Sequence, residues 1–206
     1  MRTLTIGIIA LQGDVAEHQN MLHNALDNLG LKGNIIMIKH HGSVKSCDGI
    51  ILTGGESTTL SSLLISEGIN EEIIEAHNKR IPIMGTCAGM IVLAKEGDEQ
   101  VKKTGQYLLS LMNIKVKRNI FGRQKDSFET EIDVKFLDRP YKGVFIRAPA
   151  IVEFGSTVTP LSYMNNVVVA AEEDNLLVLA FHPELTNDTR MHEYFLNKVL
   201  DLIENK

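Results

Sequence analysis

Short apolar runs alternate with longer amphipathic stretches through the first half of the chain. Residues 4–10, 34–39, 49–53 and 81–85 are nearly continuous runs of Ile, Leu, Val, Met and Gly, as expected of strands buried on both faces. Between them, residues 14–29, 58–66, 70–79 and 88–95 carry helical periodicity. Asp14 followed by Glu17 resembles a capping box, and Gly30 stands where the first helix should stop. Strands alternating with helices predict a parallel sheet with helices on both faces. The second half changes character. Residues 112–118, 128–136, 143–147, 157–163, 167–172 and 176–181 read as strands, and helical signal returns only at 188–204. Residues 96–105 are polar, contain two glycines and read as an exposed loop. The expectation is an α/β fold with an open, mostly parallel but mixed sheet. With no repeat or linker, residues 1–206 read as a single domain.

Two of these strands end in chemistry. The run at 81–85 passes through Gly85-Thr86-Cys87-Ala88-Gly89 into a helix, the pattern of a nucleophile elbow with Cys in place of Ser. Such a turn stands Cys87 at a strand end, with the following helix pointing N–H groups and positive dipole at the sulfur. Both favour thiolate. The run at 176–181 ends in His182-Pro183-Glu184. Pro183 is expected to keep the backbone extended, so that His182 and Glu184 face the same side. A thiolate needs a base and the base an orienter, which assigns Cys87, His182 and Glu184 in that order. Acyl chemistry also needs an oxyanion hole. The N–H of Gly55, or of a near neighbour after the strand at 49–53, and that of Ala88 are the expected donors. Gln12 ends the first strand on the ligand-binding side of such a sheet, where it touches the site or a partner, or caps the first helix. The other histidines, His18, His23, His40, His41, His77 and His192, lack strand-end context and read as surface or interface residues. Cys47 reads as a small buried residue.

These residues resemble the class I, or triad, glutamine amidotransferases, with their flavodoxin-like fold. Further segments are similar to the glutaminase subunits of pyridoxal 5'-phosphate synthases: Leu11-Gln12-Gly13-Asp14, Gly54-Gly55-Glu56-Ser57, Arg118-Asn119-Ile120-Phe121-Gly122-Arg123-Gln124 and Phe145-Ile146-Arg147-Ala148-Pro149. Ser110 departs from this pattern, which leads one to expect Gly there. The resemblance implies hydrolysis of L-glutamine to glutamate and ammonia, delivered to a barrel-shaped synthase subunit in a heteromeric complex. It also implies a glutamine site lined by Gly55, Glu56, Ser57, Arg118, Ile146 and Arg147. There Glu56 would accept the substrate ammonium, and Arg118 or Arg147 would grip the carboxylate. Arg123 has a structural ion pair as its other reading. A glutaminase serving a different synthase, and a DJ-1-like or peptidase-like cysteine hydrolase, are the alternatives.

Composition narrows the partners. The net charge of −5, with no long basic run, argues against nucleic acid. The densest basic cluster is Lys115, Lys117, Arg118, Arg123 and Lys125, and of these Arg118 is the one expected to leave the surface. Two cysteines are too few for a disulfide framework, and no apolar stretch is long enough to span a membrane. The amino-terminal apolar run reads as a strand rather than a signal peptide, giving a cytoplasmic expectation. No metal-ligand cluster surrounds His40-His41, and the sequence carries no cofactor or phosphate-loop motif, so neither metal nor cofactor is expected.

Overall fold

Five parallel strands carry the site. In the computed structural model, which describes residues 2–121 and 127–204, the strands β1 (Leu4–Ile9), β2 (Gly33–Ile38), β3 (Gly49–Leu52), β4 (Ile83–Thr86) and β12 (Leu176–Leu179) lie in the order β2-β1-β3-β4-β12. Arg123 and Lys125 fall outside the described residues. Every residue of β3, β4 and β12 is buried, which is why their sequences are apolar without alternation.

The strand order sets the helices. After β1 the chain passes through α1 (Val15–Asn28) to β2 on one side. After β3 it passes through α2 (Ser57–Ser66) and α3 (Ile69–Asn78) to β4 on the other. Right-handed crossovers in opposite directions put those helices on opposite faces. α1 accordingly packs against the last helix, α6 (Arg190–Glu204), while α2 packs against α3 and α4 (Ala88–Leu93). The change of direction between β1 and β3 is the topological switch point, where the carboxyl ends of the strands open a crevice.

Beyond β12 the sheet becomes antiparallel through β11 (Val167–Glu173), β9 (Ala150–Phe154) and β6 (Met112–Lys117). β10 (Thr159–Met164) pairs β11, and β5 (Ala94–Glu96) lies parallel to β6 at the edge. β7 (Ser127–Ile132) and β8 (Tyr141–Ile146) form a separate antiparallel pair. Buried apolar residues from Leu4 to Val199 make one hydrophobic cluster. Among the described residues, no helix is long and apolar enough to cross a membrane.

Several expectations change. Residues 96–105 are not simply a loop. They hold α5 (Glu99–Thr104), whose Asp98 side chain accepts the N–H groups of Gln100 and Val101 and whose end is Gly105 in the left-handed region. One buried side chain, Val101, anchors it, too little to leave an apolar stripe in the sequence. β9 was not expected at all, and β8 starts at Tyr141. Asp14 makes no side-chain cap, so the capping box is not formed. Ser110 has φ 56°, which explains why the pattern wants Gly there.

The elbow helix sits unusually close to the sheet. A methyl group on Gly89 would lie 2.4 Å from the Leu52 carbonyl oxygen, a backbone atom of a fully buried strand. We expect Gly89→Ala to lose about 1–3 kcal/mol of stability by overpacking. Equilibrium denaturant unfolding checks this, and a midpoint equal to the parent's would show that α4 can move off β3.

Candidate active site

The carboxyl ends of four adjacent strands converge. Gln12 follows β1, Gly54 and Gly55 follow β3, Cys87 follows β4 and His182 follows β12. They border a cleft of about 480 Å³ lined by Asp14, Gly55, Glu56, Ser57, Cys87, Arg118, Ile146, Arg147 and His182 among others. A larger groove of about 850 Å³ beside the β7–β8 pair has neither Cys nor His in its lining.

Cys87 adopts φ 49° and ψ −101°, the strained turn of an elbow. Its N–H donates to the Leu179 carbonyl of β12 at 2.8 Å, which locks the elbow to the strand that carries His182. Sγ lies 3.9 Å from the Ile146 carbonyl oxygen. Ala88 opens α4, and the first-turn N–H groups of a helix lack intrahelical acceptors.

His182 is fixed from three sides. Its N–H donates to the Val144 carbonyl at 2.8 Å, and its Nδ1 lies 2.7 Å from Glu184 Oε1. Gly54 leaves room for the ring, since a methyl there would lie 2.7 Å from Cε1. Pro183 does not extend the chain as expected. Residues Pro183–Leu185 form one 3-10 turn with Pro at its start, and this turn folds Glu184 back beneath the imidazole. Burial disfavours imidazolium, but hydrogen bonds to Cys87 and Glu184 outweigh it and raise the His182 pKa to about 10. With Nδ1 committed to Glu184, Nε2 is left for the sulfur. The arrangement favours a thiolate–imidazolium pair.

Burial holds the Glu184 carboxyl above its ordinary range, with the imidazole of His182 pulling the other way. Asp14 adds a second carboxylate, with Oδ2 at 3.5 Å from His182 Nδ1. The donor atoms of Asp14, His182 and Glu184 lie within 4.8 Å of one another, near enough for a cation. In the tautomer that donates to Glu184, however, Nδ1 has no lone pair for a metal.

The Gly54-Gly55 loop is tied to the residues that follow the first strand. Thr53 Oγ1 donates to the Gln12 carbonyl at 2.7 Å, and Gln12 Nε2 donates to the Glu56 carbonyl at 2.6 Å. Gly55, between them, has φ 110°, and a methyl there would strike the Gln12 amide at 2.8 Å. Gln12 therefore braces this loop rather than capping α1.

The glutamine-pocket candidates divide. Arg118 ends β6, its carboxylate neighbour is Asp98 at 3.7 Å, and its Nε and Nη2 are buried without hydrogen-bond partners. Nε already faces the Asp98 carboxylate, which leaves Nη2 as the guanidinium donor without a partner. Arg147, with φ 43°, is exposed at the rim. The Glu56 carboxylate caps α2, accepting from Thr58 N at 3.1 Å and Thr59 N at 2.7 Å. Burial raises its pKa, but these bonds outweigh that and lower it. Ser57 donates to Gln106 Oε1 at 3.2 Å.

Two histidines were misread. His18 and His192 are fully buried rather than at the surface. His18 Nδ1 lies 3.1 Å from His192 Nε2, while His18 Nε2 lies 3.2 Å from Thr86 Oγ1 and 3.4 Å from Glu184 Oε2. The missed signal was helical spacing, since His18 falls in the buried stripe of Met21, Leu22, Ala25 and Leu26.

Comparison with known proteins gives consistent matches. A model of the SNO glutamine amidotransferase family matches residues 8–201. The pyridoxal 5'-phosphate synthase subunit PdxT of Methanosarcina acetivorans is 57% identical over 197 residues, covering 96% of this chain and 99% of that one. Its counterpart in Methanosarcina mazei is 58% identical over 198 residues, covering 96% and 100%. A solved glutamine amidotransferase superposes with a TM-score of 0.83 at 36% identity, covering 94% of this chain and 98% of the other. A glutamine amidotransferase from Thermotoga maritima, 14% identical with a TM-score of 0.63 and covering 100% and 86%, shares the fold.

The two thiols differ in kind. Burial, with Asp48 adding to it, pushes Cys47 up to about 12, so it stays protonated at neutral pH. We expect a glutamine-like electrophile to label Cys87 and spare Cys47. Peptide mapping reads this out, and preferential modification of Cys47 would contradict the pairing of Cys87 with His182.

Proposed function

This chain belongs to the SNO glutamine amidotransferase family, and on that premise we propose that Cys87, His182 and Glu184 carry out its glutaminase reaction. The observation that carries the assignment is the elbow cysteine beside a buried imidazole whose Nδ1 is 2.7 Å from a buried carboxylate. The Cys87 thiolate attacks the carboxamide carbon of glutamine, forming a C–S bond while the carbonyl electron pair moves to oxygen. Backbone N–H groups at Gly55 and Ala88 receive that oxyanion. Collapse breaks the C–N bond, and the His182 imidazolium supplies the proton that leaves with ammonia. His182, now neutral, takes a proton from water. The resulting hydroxide attacks the glutamyl thioester, and glutamate departs as the thiolate re-forms.

Arg118 binds the substrate α-carboxylate in this reading, supported by its place in the cleft lining and its unpartnered Nη2. Glu56 lines the same cleft, and its carboxylate, which also caps α2, is the acceptor assigned to the substrate ammonium. The curated relatives are named as subunits of pyridoxal 5'-phosphate synthase, and the ammonia is assigned to such a synthase in a heteromeric complex. Protonated ammonia is not a nucleophile, so a protected path to the acceptor subunit fits the chemistry. One continuous core supports a single glutaminase domain, and two free cysteines support a cytoplasmic setting.

Cys87→Ala should abolish glutamate release while leaving the fold intact. His182→Ala should remove nearly all turnover, and Glu184→Gln should lose less, because it leaves the base present but poorly oriented. Turnover at saturating glutamine decides it. Activity within tenfold of the parent in Cys87→Ala, or His182→Ala as the milder lesion, would refute the assigned roles.

The isolated chain is expected to be a poor glutaminase, switched on by its partner. Gly55 can change peptide orientation at low cost, and Gln12 braces the peptide next to it. Contact at Gln12 can then favour the orientation that aims an N–H at the oxyanion, a donor worth about 10²–10³ in turnover. Glutamate production by the chain alone is to be compared with that of a mixture with the synthase subunit. Equal turnover in the two would reject this gating.

A further inference from the structure

We propose that His18 is a positioning residue for the triad: a neutral imidazole whose Nε2–H, bonded to Thr86, sets its positive end against the second carboxylate oxygen of Glu184, with His192 fixing its tautomer. The proposal rests on the triad assignment above and extends it to helices α1 and α6, which contribute nothing to the cleft itself.

The geometry is a buried line of groups. Glu184 presents Oε1 to His182 Nδ1 at 2.7 Å and Oε2 to His18 Nε2 at 3.4 Å, with both the Glu184 and His18 side chains fully buried. Behind them, His18 Nδ1 meets His192 Nε2 at 3.1 Å. Burial, then the neighbouring His192 and His182, hold His18 well below its ordinary pKa, and burial takes His192 down to about 3. Each ring therefore carries one proton, and its position can be reasoned out.

If the His18 proton sits on Nδ1, it must be given to His192 Nε2, which forces the His192 proton onto Nδ1. That atom is buried and has no partner. His18 Nε2 would then turn a lone pair toward a carboxylate oxygen at 3.4 Å. An orphaned buried donor and a repulsive contact are both costly. If the proton sits on His18 Nε2 instead, it is given to Thr86 Oγ1 at 3.2 Å, and the positive end of the N–H faces Glu184 Oε2 at 3.4 Å. His192 Nε2–H then donates to His18 Nδ1, and the orphan at His192 Nδ1 is only a lone pair. The Thr86 hydroxyl rotates to suit. The second arrangement wins, and it sets a favourable dipole against a buried carboxylate oxygen that has no hydrogen-bond partner of its own.

The consequence is a pH effect of known sign. Around Glu184 stand His182 from the strand-end turn, Asp14 and His18 from the α1 segment, and Tyr141 from β8, with His192 of α6 beyond His18. Asp14 pushes the Glu184 pKa up, while donors favour the charged form. Removing the His18 donor therefore raises the Glu184 pKa further. Only ionised Glu184 holds the imidazolium, so activity is lost at a higher pH on the acid side.

The test compares His18→Leu, His18→Gln and His18→Asn in the full chain, with the synthase subunit present. It measures kcat and KM for glutamine across pH, with thermal unfolding recorded for each variant. A glutamine side chain can place its amide nitrogen where Nε2 stood, whereas asparagine reaches only the place of Nδ1. His18→Leu and His18→Asn should lose about ten- to a hundredfold in kcat, the range that one charge-assisted hydrogen bond supplies. KM should stay near the parent value and the acid limb of kcat should move up in pH. His18→Gln should recover most of the rate and the parent acid limb. If His18→Leu does not fold, the Gln and Asn pair decides alone. Parent-like kcat and acid limb in His18→Leu or His18→Asn, or equal losses in all folded variants with an unmoved limb, would overturn the proposal and leave the triad standing. Turnover surviving in Cys87→Ala would remove the triad, and the role of His18 with it.

Discussion

A carboxylate shut away from solvent is the constraint around which this molecule is arranged. The Glu184 side chain has no exposed surface, and the effective cost of burying an ion is several kcal/mol unless partners compensate. Compensation has to come from fixed donors, which ties distant parts of the chain to one point. His182 is supplied by the end of β12, itself held by the Val144 carbonyl of β8. Thr86 and Cys87 come from the adjacent β4, and the Cys87 N–H is bonded back to Leu179 of β12. Cys87 stands at the far end of the same arrangement, beside the imidazole that Glu184 holds.

The sheet explains why these groups meet. Parallel strands place all their carboxyl ends on one side, so four elements far apart in sequence deliver residues to one crevice without any long loop. The glycines are there for proximity. Gly89 lets the elbow helix lie against β3, and Gly54 leaves space for the His182 ring. The antiparallel half contributes the other wall, through Arg118 at the end of β6 and Ile146-Arg147 at the end of β8. It thereby gives a cationic side to a cleft whose cysteine and histidine come from the parallel half.

Much of this was readable from the sequence because burial on both faces leaves an unmistakable trace. β3, β4 and β12 are apolar throughout, and their ends were located closely enough to place Cys87, Gly55 and His182 at one edge. What escaped had no such trace. α5 is held by a side-chain cap and one buried valine. The helix cap made by the Glu56 carboxylate left no trace either, because sequence shows charge, not the N–H groups of Thr58 and Thr59 that bond to it. His18 and His192 were misjudged for the opposite reason. Polarity suggested surface, although their spacing to Leu22 and to Phe195 put both on the apolar stripes of their helices. Periodicity was the better guide to burial than residue type.

Backbone strain gives the last step of the argument. Gly13, Gly55, Cys87, Asn119 and Arg147 all have positive φ, and all line the same cleft. Among the other described residues outside glycine, positive φ falls on Arg80, Ser110, Asn165, Asn166 and Asp174, three of the five being Asn or Asp, which tolerate it. At Cys87 and Arg147 the strain, typically about 1–3 kcal/mol each, goes unrelieved by residue type. Glycine would remove it, as it does at Gly13 and Gly55, but only by deleting a sulfur and a guanidinium. Stability is given up where a side chain, and not merely a turn, is required. Of the four such positions outside Gly, Asn and Asp, two, Cys87 and Arg147, therefore lie in the cleft, and there it is the side chain that the residue type serves.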